Sequence, residues 1–138
     1  MGERRKGREV ALQILYGIDV APSHDPKEAL NIFWSENPSV SAEAKAFIEQ
    51  LVTGVCGNKD SIDEMIGQHS SNWKISRMAV VDRNILRLAI YELKWCADIP
   101  LRVTLNEAIE IAKQFGTEES GAFVNGILDK VAKSVNKE

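Results

Sequence analysis

No stretch of this chain is apolar for 18 residues or more, so nothing in it reads as a membrane span. The N-terminus, MGERRKGREVALQILYG, turns from basic to apolar, but Glu9 and Gln13 cut into the apolar part. That pattern fits an amphipathic helix and excludes a signal peptide. Cysteine is scarce: Cys56 and Cys96 lie in apolar helical contexts, without a CxxC pair or a Cys/His cluster. Two buried thiols in a reducing cytoplasm follow. The two histidines, His24 and His69, have no metal-ligand spacing to Cys, Asp or Glu. P-loop, GxGxxG, GxSxG and HExxH patterns are all missing. The carboxylate pairs Asp63/Glu64 and Glu118/Glu119 occupy helical or turn positions expected to face solvent. General acid–base chemistry needs a desolvated, perturbed group, so these pairs do not suggest a catalytic dyad. The sequence therefore predicts no enzyme, no cofactor and no metal. Strand-like alternation bounded by turns is absent too, as are internal repeats and low-complexity runs.

What is present is helical. With 138 residues and 44% hydrophobic content, the chain suits one compact domain. At that length it can bury close to ~70% of its unfolded surface. The stretch 78–96, MAVVDRNILRLAIYELKWC, has no Gly or Pro to break a helix. Projected at ~100° per residue, its apolar residues, from Val81 and Ile85 to Leu93 and Trp95, cover an arc of roughly 220°. An ordinary surface helix shows a stripe of little more than ~100°. This helix is expected to be enclosed on most sides, with a narrow basic strip of Arg83, Arg87 and Lys94 and with Tyr91 beside it.

The remaining helices follow from caps and periodicity. The first runs from Arg4 or Arg5 to Val20, burying Val10, Ala11, Ile14, Leu15 and Ile18. Asp25 and Pro26 form an N-cap and first-turn pair for a short helix carrying Ala29, Leu30, Phe33 and Trp34. Ser41 caps a third helix, which buries Phe47, Ile48, Leu51, Val52 and Val55. Gly54 and Gly57 either end it or allow a close crossing, so one long helix to about His69 and two shorter ones both fit. Residues 70–77 read as a loop anchored by Trp73 and Ile75. Thr104 and Glu107 match a capping box for the penultimate helix, and Gly116 sits at its C-cap. A last helix carries Phe123, Val124, Ile127, Leu128 and Val131. The expectation is an all-α domain of six or seven helices.

The net charge of −3 hides an asymmetry. Residues 1–8 hold Arg4, Arg5, Lys6 and Arg8 against Glu3, a local +3 that leaves −6 on the rest of the chain. A local basic patch points to one anionic ligand at one place. Cations at a helix N-terminus also oppose the macrodipole, by roughly 0.3–1 kcal/mol each. Single-stranded RNA is held by basic groups on its backbone and aromatic faces on its bases. Tyr16 lies about two turns beyond Arg8. A solvated terminus and a helical protein–protein adaptor remain the competing readings of the same residues.

Three stretches narrow the choice. RRKGREVALQILY (4–16), ILRLAIYEL (85–93) and NEAIEIAKQFG…FVNGILDK (106–130) resemble, in order and spacing, the NusB family of bacterial transcription antitermination factors. The resemblance covers nearly the whole chain. It implies a compact fold of two small helical bundles packed across each other, here roughly 1–70 and 71–138, and no catalytic activity. It also implies binding of the single-stranded boxA element of ribosomal RNA transcripts, together with the small-subunit ribosomal protein NusE. Other Nus factors and RNA polymerase would complete the complex. Carried over by motif, the RNA-binding residues would be Arg4, Arg5, Lys6, Arg8, Tyr16, Arg87, Glu119 and Phe123, and Asp82 would lie at the NusE contact. Ala122 departs from the family pattern, which often has a basic residue before the FVNG phenylalanine.

Each carried-over residue has a plainer reading: Tyr16 and Phe123 as core, Asp82 as a first-turn carboxylate, Arg87 paired with a nearby acid. Asn125 and Gly126 are assigned to structure. Monomer and homodimer both fit the resemblance. The rivals are a NusB-like RNA-binding domain of a ribosomal RNA methyltransferase and a protein-only helical adaptor.

Overall fold

A computed structural model describes residues 3–21, 25–70 and 74–135. His24 and Trp73 lie outside the described residues. Seven α-helices and one short 3-10 turn make up the described secondary structure, with no strand among the described residues. No helix among them is long and apolar enough to cross a membrane. The chain divides into two compact units, Met1–Gly57 and Asn58–Glu138.

The first unit is a three-helix assembly. Helices α1 (Glu3–Val20), α2 (Pro26–Glu36) and α3 (Ala42–Gly57) each pack on the other two, with α1 lying chiefly along α3. Ala11, Leu12, Ile14 and Leu15 of α1 are buried, as are Leu30 of α2 and Ile48, Leu51, Val52 and Val55 of α3. Local chemistry sets the helix starts. The Asp25 carboxylate accepts the Glu28 backbone N–H at 2.8 Å, and Pro26 occupies the first turn. Ser41 Oγ likewise accepts the Ala44 N–H at 3.2 Å. Trp34 ties α2 to α3 by donating Nε1–H to Glu49 Oε2 at 2.8 Å, with its ring edge-on to Phe33. Replacing Asp25 with Ala is expected to cost about 1 kcal/mol, from the loss of one cap. Urea denaturation monitored by circular dichroism checks it, and an unchanged midpoint would show that Pro26 alone sets the start of α2.

The second unit holds α4 (Lys59–His69), a 3-10 turn (Ile75–Arg77), α5 (Val80–Trp95), α6 (Leu101–Phe115) and α7 (Ser120–Val135). Helix α5 packs against α4, α6 and α7. Every residue from Asn84 to Leu93 is buried, so the wide apolar arc does mark an enclosed helix. Enclosure forces its polar side chains to find partners inside the protein. Asn84 Nδ2 donates to the Val80 carbonyl at 2.8 Å, and fully buried Glu92 accepts from Thr104 Oγ1 at 2.8 Å. Trp95, expected inside, is 38% exposed and stacks on Tyr91 at the end of the helix.

Of the two readings left open between residues 42 and 69, the chain forms two helices, α3 and α4. The units divide at Gly57–Asn58, where the resemblance implied a division near residue 70, because α4 packs with α5 and α7. Thr104 does not cap α6. That helix begins at Leu101 after Pro100, and Thr104 is its buried link to Glu92.

Candidate nucleic-acid interface

The basic cluster is the N-terminal end of α1, folded as helix from Glu3 onward. Helical geometry splits the cluster between two directions. Arg4 and Arg8, one turn apart, face α3 and lie over the ring of Phe47, with their guanidinium carbons 4.7 and 5.6 Å from its centroid. Gly7 lies between them on the same face. A Cβ at Gly7 would come within 2.9 Å of Phe47 Cδ2, so the glycine leaves room for the ring to nest against α1. Arg8 is only 4% exposed, whereas Arg4 and Lys6 are exposed and Arg5 is half-buried. Glu3, Arg4, Glu43, Ala44 and Phe47 line a small cleft of about 140 Å³ at this end.

On the outer side of α1, Arg5 and Tyr16 lie about 20° apart in helical projection and about 16 Å apart along the axis. Tyr16 is 42% exposed and Lys6 and Gln13 flank the same face, so this aromatic is available for stacking and is not core. Exposed Lys6, half-buried Arg5 and the exposed ring of Tyr16 thus lie on the side of the helix turned away from α3. Cationic side chains can neutralise phosphates while a ring stacks on a base.

The other sequence-predicted residues belong to the second unit. Arg87 does not present its charge to solvent. It is 5% exposed, with Nε and Nη2 donating to Asp63 Oδ1 and Oδ2 at 2.8 and 3.0 Å and Nη1 donating to Asn84 Oδ1 at 3.1 Å. The basic strip expected on α5 is therefore broken. Arg87 is locked inside, half-buried Arg83 donates to the Ile75 carbonyl at 3.3 Å, and Lys94 alone of the three is exposed. Asp63, expected to be a solvated carboxylate, is the counter-ion of Arg87. Asp82 is buried in the first turn of α5, and its Oδ1 has no hydrogen-bond partner. Glu119 and Ala122 are exposed at the start of α7, where the Glu119 carbonyl accepts the Phe123 N–H at 3.0 Å, and Phe123 is half-buried. No group of three His, Cys, Asp or Glu side chains among the described residues could hold a metal.

The chain thus carries exposed basic and aromatic residues on α1 and, in the second unit, the ILR and FVNG stretches on α5 and α7. The pattern that defines the NusB family matches residues 5–133. The chain belongs to the NusB family. Transcription antitermination protein NusB of Desulfatibacillum aliphaticivorans is 51% identical over all of this chain and 95% of the relative. The solved structure of T. maritima NusB superposes with a TM-score of 0.87 at 39% identity, covering 96% of this chain and 92% of that one. A crystal structure of antitermination factors NusB and NusE in complex with dsRNA also matches with a TM-score of 0.87, at 27% identity over 97% of this chain and 98% of its counterpart. The all-α NusB fold read from the sequence is the fold observed.

Within this NusB-family chain, two residues escaped the sequence reading. Phe47 was assigned only to the buried stripe of α3, and Asp63 to solvent. A signal for the first existed in Gly7, since a glycine inside a helix costs about 1 kcal/mol relative to Ala and asks for a packing reason. Nothing local marks Asp63.

Proposed function

We propose that this chain is a transcription antitermination factor that binds boxA-type single-stranded RNA together with the ribosomal protein NusE. It would act without catalysis, in the cytoplasm, within a complex of other Nus factors and RNA polymerase. The observation that carries the reading is the outer side of α1, where Arg4, Lys6 and Tyr16 are exposed and Arg5 is half-buried. Family membership and the NusB–NusE–RNA complex among similar structures support it. In this reading Arg4, Arg5 and Lys6 contact phosphates, and Tyr16 stacks on a base at ~1–3 kcal/mol. Arg8 adds charge from beneath the surface. Glu119 and Phe123 would flank the RNA at the start of α7, and Asp82 would serve the NusE contact. Arg87 drops out of the contacting set, because its guanidinium hydrogen bonds are made to Asp63 and Asn84.

The test is a salt titration of binding to a short boxA-like single strand, with and without NusE, against a duplex of the same sequence. About four phosphate contacts on a single strand give a log–log slope near −3. Changing Arg4, Arg5 and Lys6 together to Ala is expected to flatten the slope to about −1, at ~0.7 per contact removed. NusE is expected to tighten binding by the wild type. Equally weak binding before and after the change would sink the RNA reading and favour a protein-only adaptor.

A further inference from the structure

We infer that Phe47, on α3, is a positioning residue for the RNA-contacting arm: its ring holds the guanidinium groups of Arg4 and Arg8 in place before RNA arrives. The inference rests on the RNA-binding reading of α1, and it adds a residue outside the motifs that carry that reading.

Three observations converge on this ring. Arg4 and Arg8 approach it at 4.7 and 5.6 Å, within the range at which a guanidinium is attracted to an aromatic face. Gly7 supplies the notch that brings the ring against α1, since a Cβ there would come within 2.9 Å of it. The ring is half-buried, and it lines the small cleft together with Arg4, Glu3 and Glu43. A purely structural phenylalanine would bury its face among aliphatic side chains. This one turns toward two cations of one helix, in a chain whose charge is otherwise acidic.

The physical reason is conformational entropy. A long arginine side chain loses much rotamer freedom when it is fixed on a phosphate. A guanidinium already stacked on a ring has lost part of that freedom in the free protein. Stacking uses the face of the guanidinium and phosphate recognition uses its edge, so the two are compatible in one side chain. Phe47 therefore raises affinity without touching RNA, through Arg4 above all, since Arg8 is almost wholly buried.

The experiment uses the full chain with NusE and the same boxA-like single strand. Phe47→Leu keeps apolar volume and removes the ring, and Phe47→Tyr keeps the ring. Phe47→Leu is expected to weaken RNA binding about fivefold, the size of one or two exposed cation–π contacts, and Phe47→Tyr to bind within about twofold of wild type. In an Arg4→Ala background, Phe47→Leu is expected to lose most of its effect. Additive losses would show that it acts on the fold in general and would overturn the inference. A second readout needs no RNA. Nitrogen-15 relaxation of the Arg4 side-chain Nε in the free protein should show greater mobility in Phe47→Leu than in wild type. Unchanged mobility would overturn the positioning role even where RNA binds. Failure of the wild type to bind RNA, with the mobility difference present, would instead remove the RNA reading and leave a positioned arm serving another anion. If Phe47→Leu unfolds, Phe47→Met takes its place with the same expected outcomes.

Discussion

Replacing Asp63 with Ala is expected to destabilise the second unit by about 3 kcal/mol and to lower the melting temperature by about 10 °C. The change removes both carboxylate oxygens that accept Arg87 Nε–H and Nη2–H. It takes the Asp63 carboxylate away from a guanidinium whose side chain is 6% exposed. Breaking a buried pair from one side costs about 3–5 kcal/mol. The lower figure applies because Asp63 keeps 23% of its side chain in contact with solvent, and Asn84 still accepts from Nη1. Arg87→Met is expected to cost less, since Asp63 can then be hydrated while the methionine stem fills the space. The same pair of variants decides what Arg87 is for. Measured below their melting temperatures, both should bind RNA as the wild type does. A stable Arg87→Met protein that has lost RNA binding would return Arg87 to the interface.

Gly116→Ala is the second large effect, expected at about 2–4 kcal/mol. The glycine ends α6 with φ −98° and ψ −160°, an extended backbone that any residue can adopt. The demand is one of space. An added Cβ would overlap Ser120 Oγ and Cβ and lie 2.8 Å from the Ala112 carbonyl oxygen. Ser120 has nowhere to go, because it is 1% exposed and its Oγ accepts the Thr117 N–H at 2.9 Å. The variant must either shift the start of α7 or give up that hydrogen bond. Chemical denaturation of Gly116→Ala against wild type, and of Gly116→Ala/Ser120→Gly against Ser120→Gly, separates the two, because only glycine removes both Ser120 atoms that the added Cβ meets. Recovery of most of the loss in the double variant identifies the clash with Ser120 as the cause, and no recovery places it at the Ala112 carbonyl.

Several features could be read directly from the chain because their causes are local. The Asp25–Pro26 start of α2 is one, since cap and first turn are adjacent residues. The enclosed character of α5 is another, because an uninterrupted apolar arc has only one physical use. The basic arm of α1 was visible as composition, and Tyr16 by its spacing from Arg8, although its exposure was not. What escaped depends on register between helices. Asp63 and Arg87 are 24 positions apart, and only the packing of α4 on α5 brings them into bidentate contact. Phe47 and Gly7 meet for the same reason along α1 and α3. Thr104 misled because threonine followed three residues later by glutamate fits a cap and also fits a helix interior. Pro100, with its fixed φ, placed the start at Leu101, four residues earlier than the Leu105 start a Thr104 cap would give.

The arm is helical from Glu3 and continuous with the packed part of α1, and Arg4 and Arg8 rest against α3. A recognition segment built in this way does not fold upon its ligand. Many basic arms that bind nucleic acid are disordered alone and surrender part of their interaction energy to becoming ordered. Here that ordering belongs to the synthesis and folding of the protein itself. On the proposed function, encounter with RNA would be a docking of surfaces already formed, in which capture is governed by diffusion and charge, and residence by how well the strand fits a face that is already shaped.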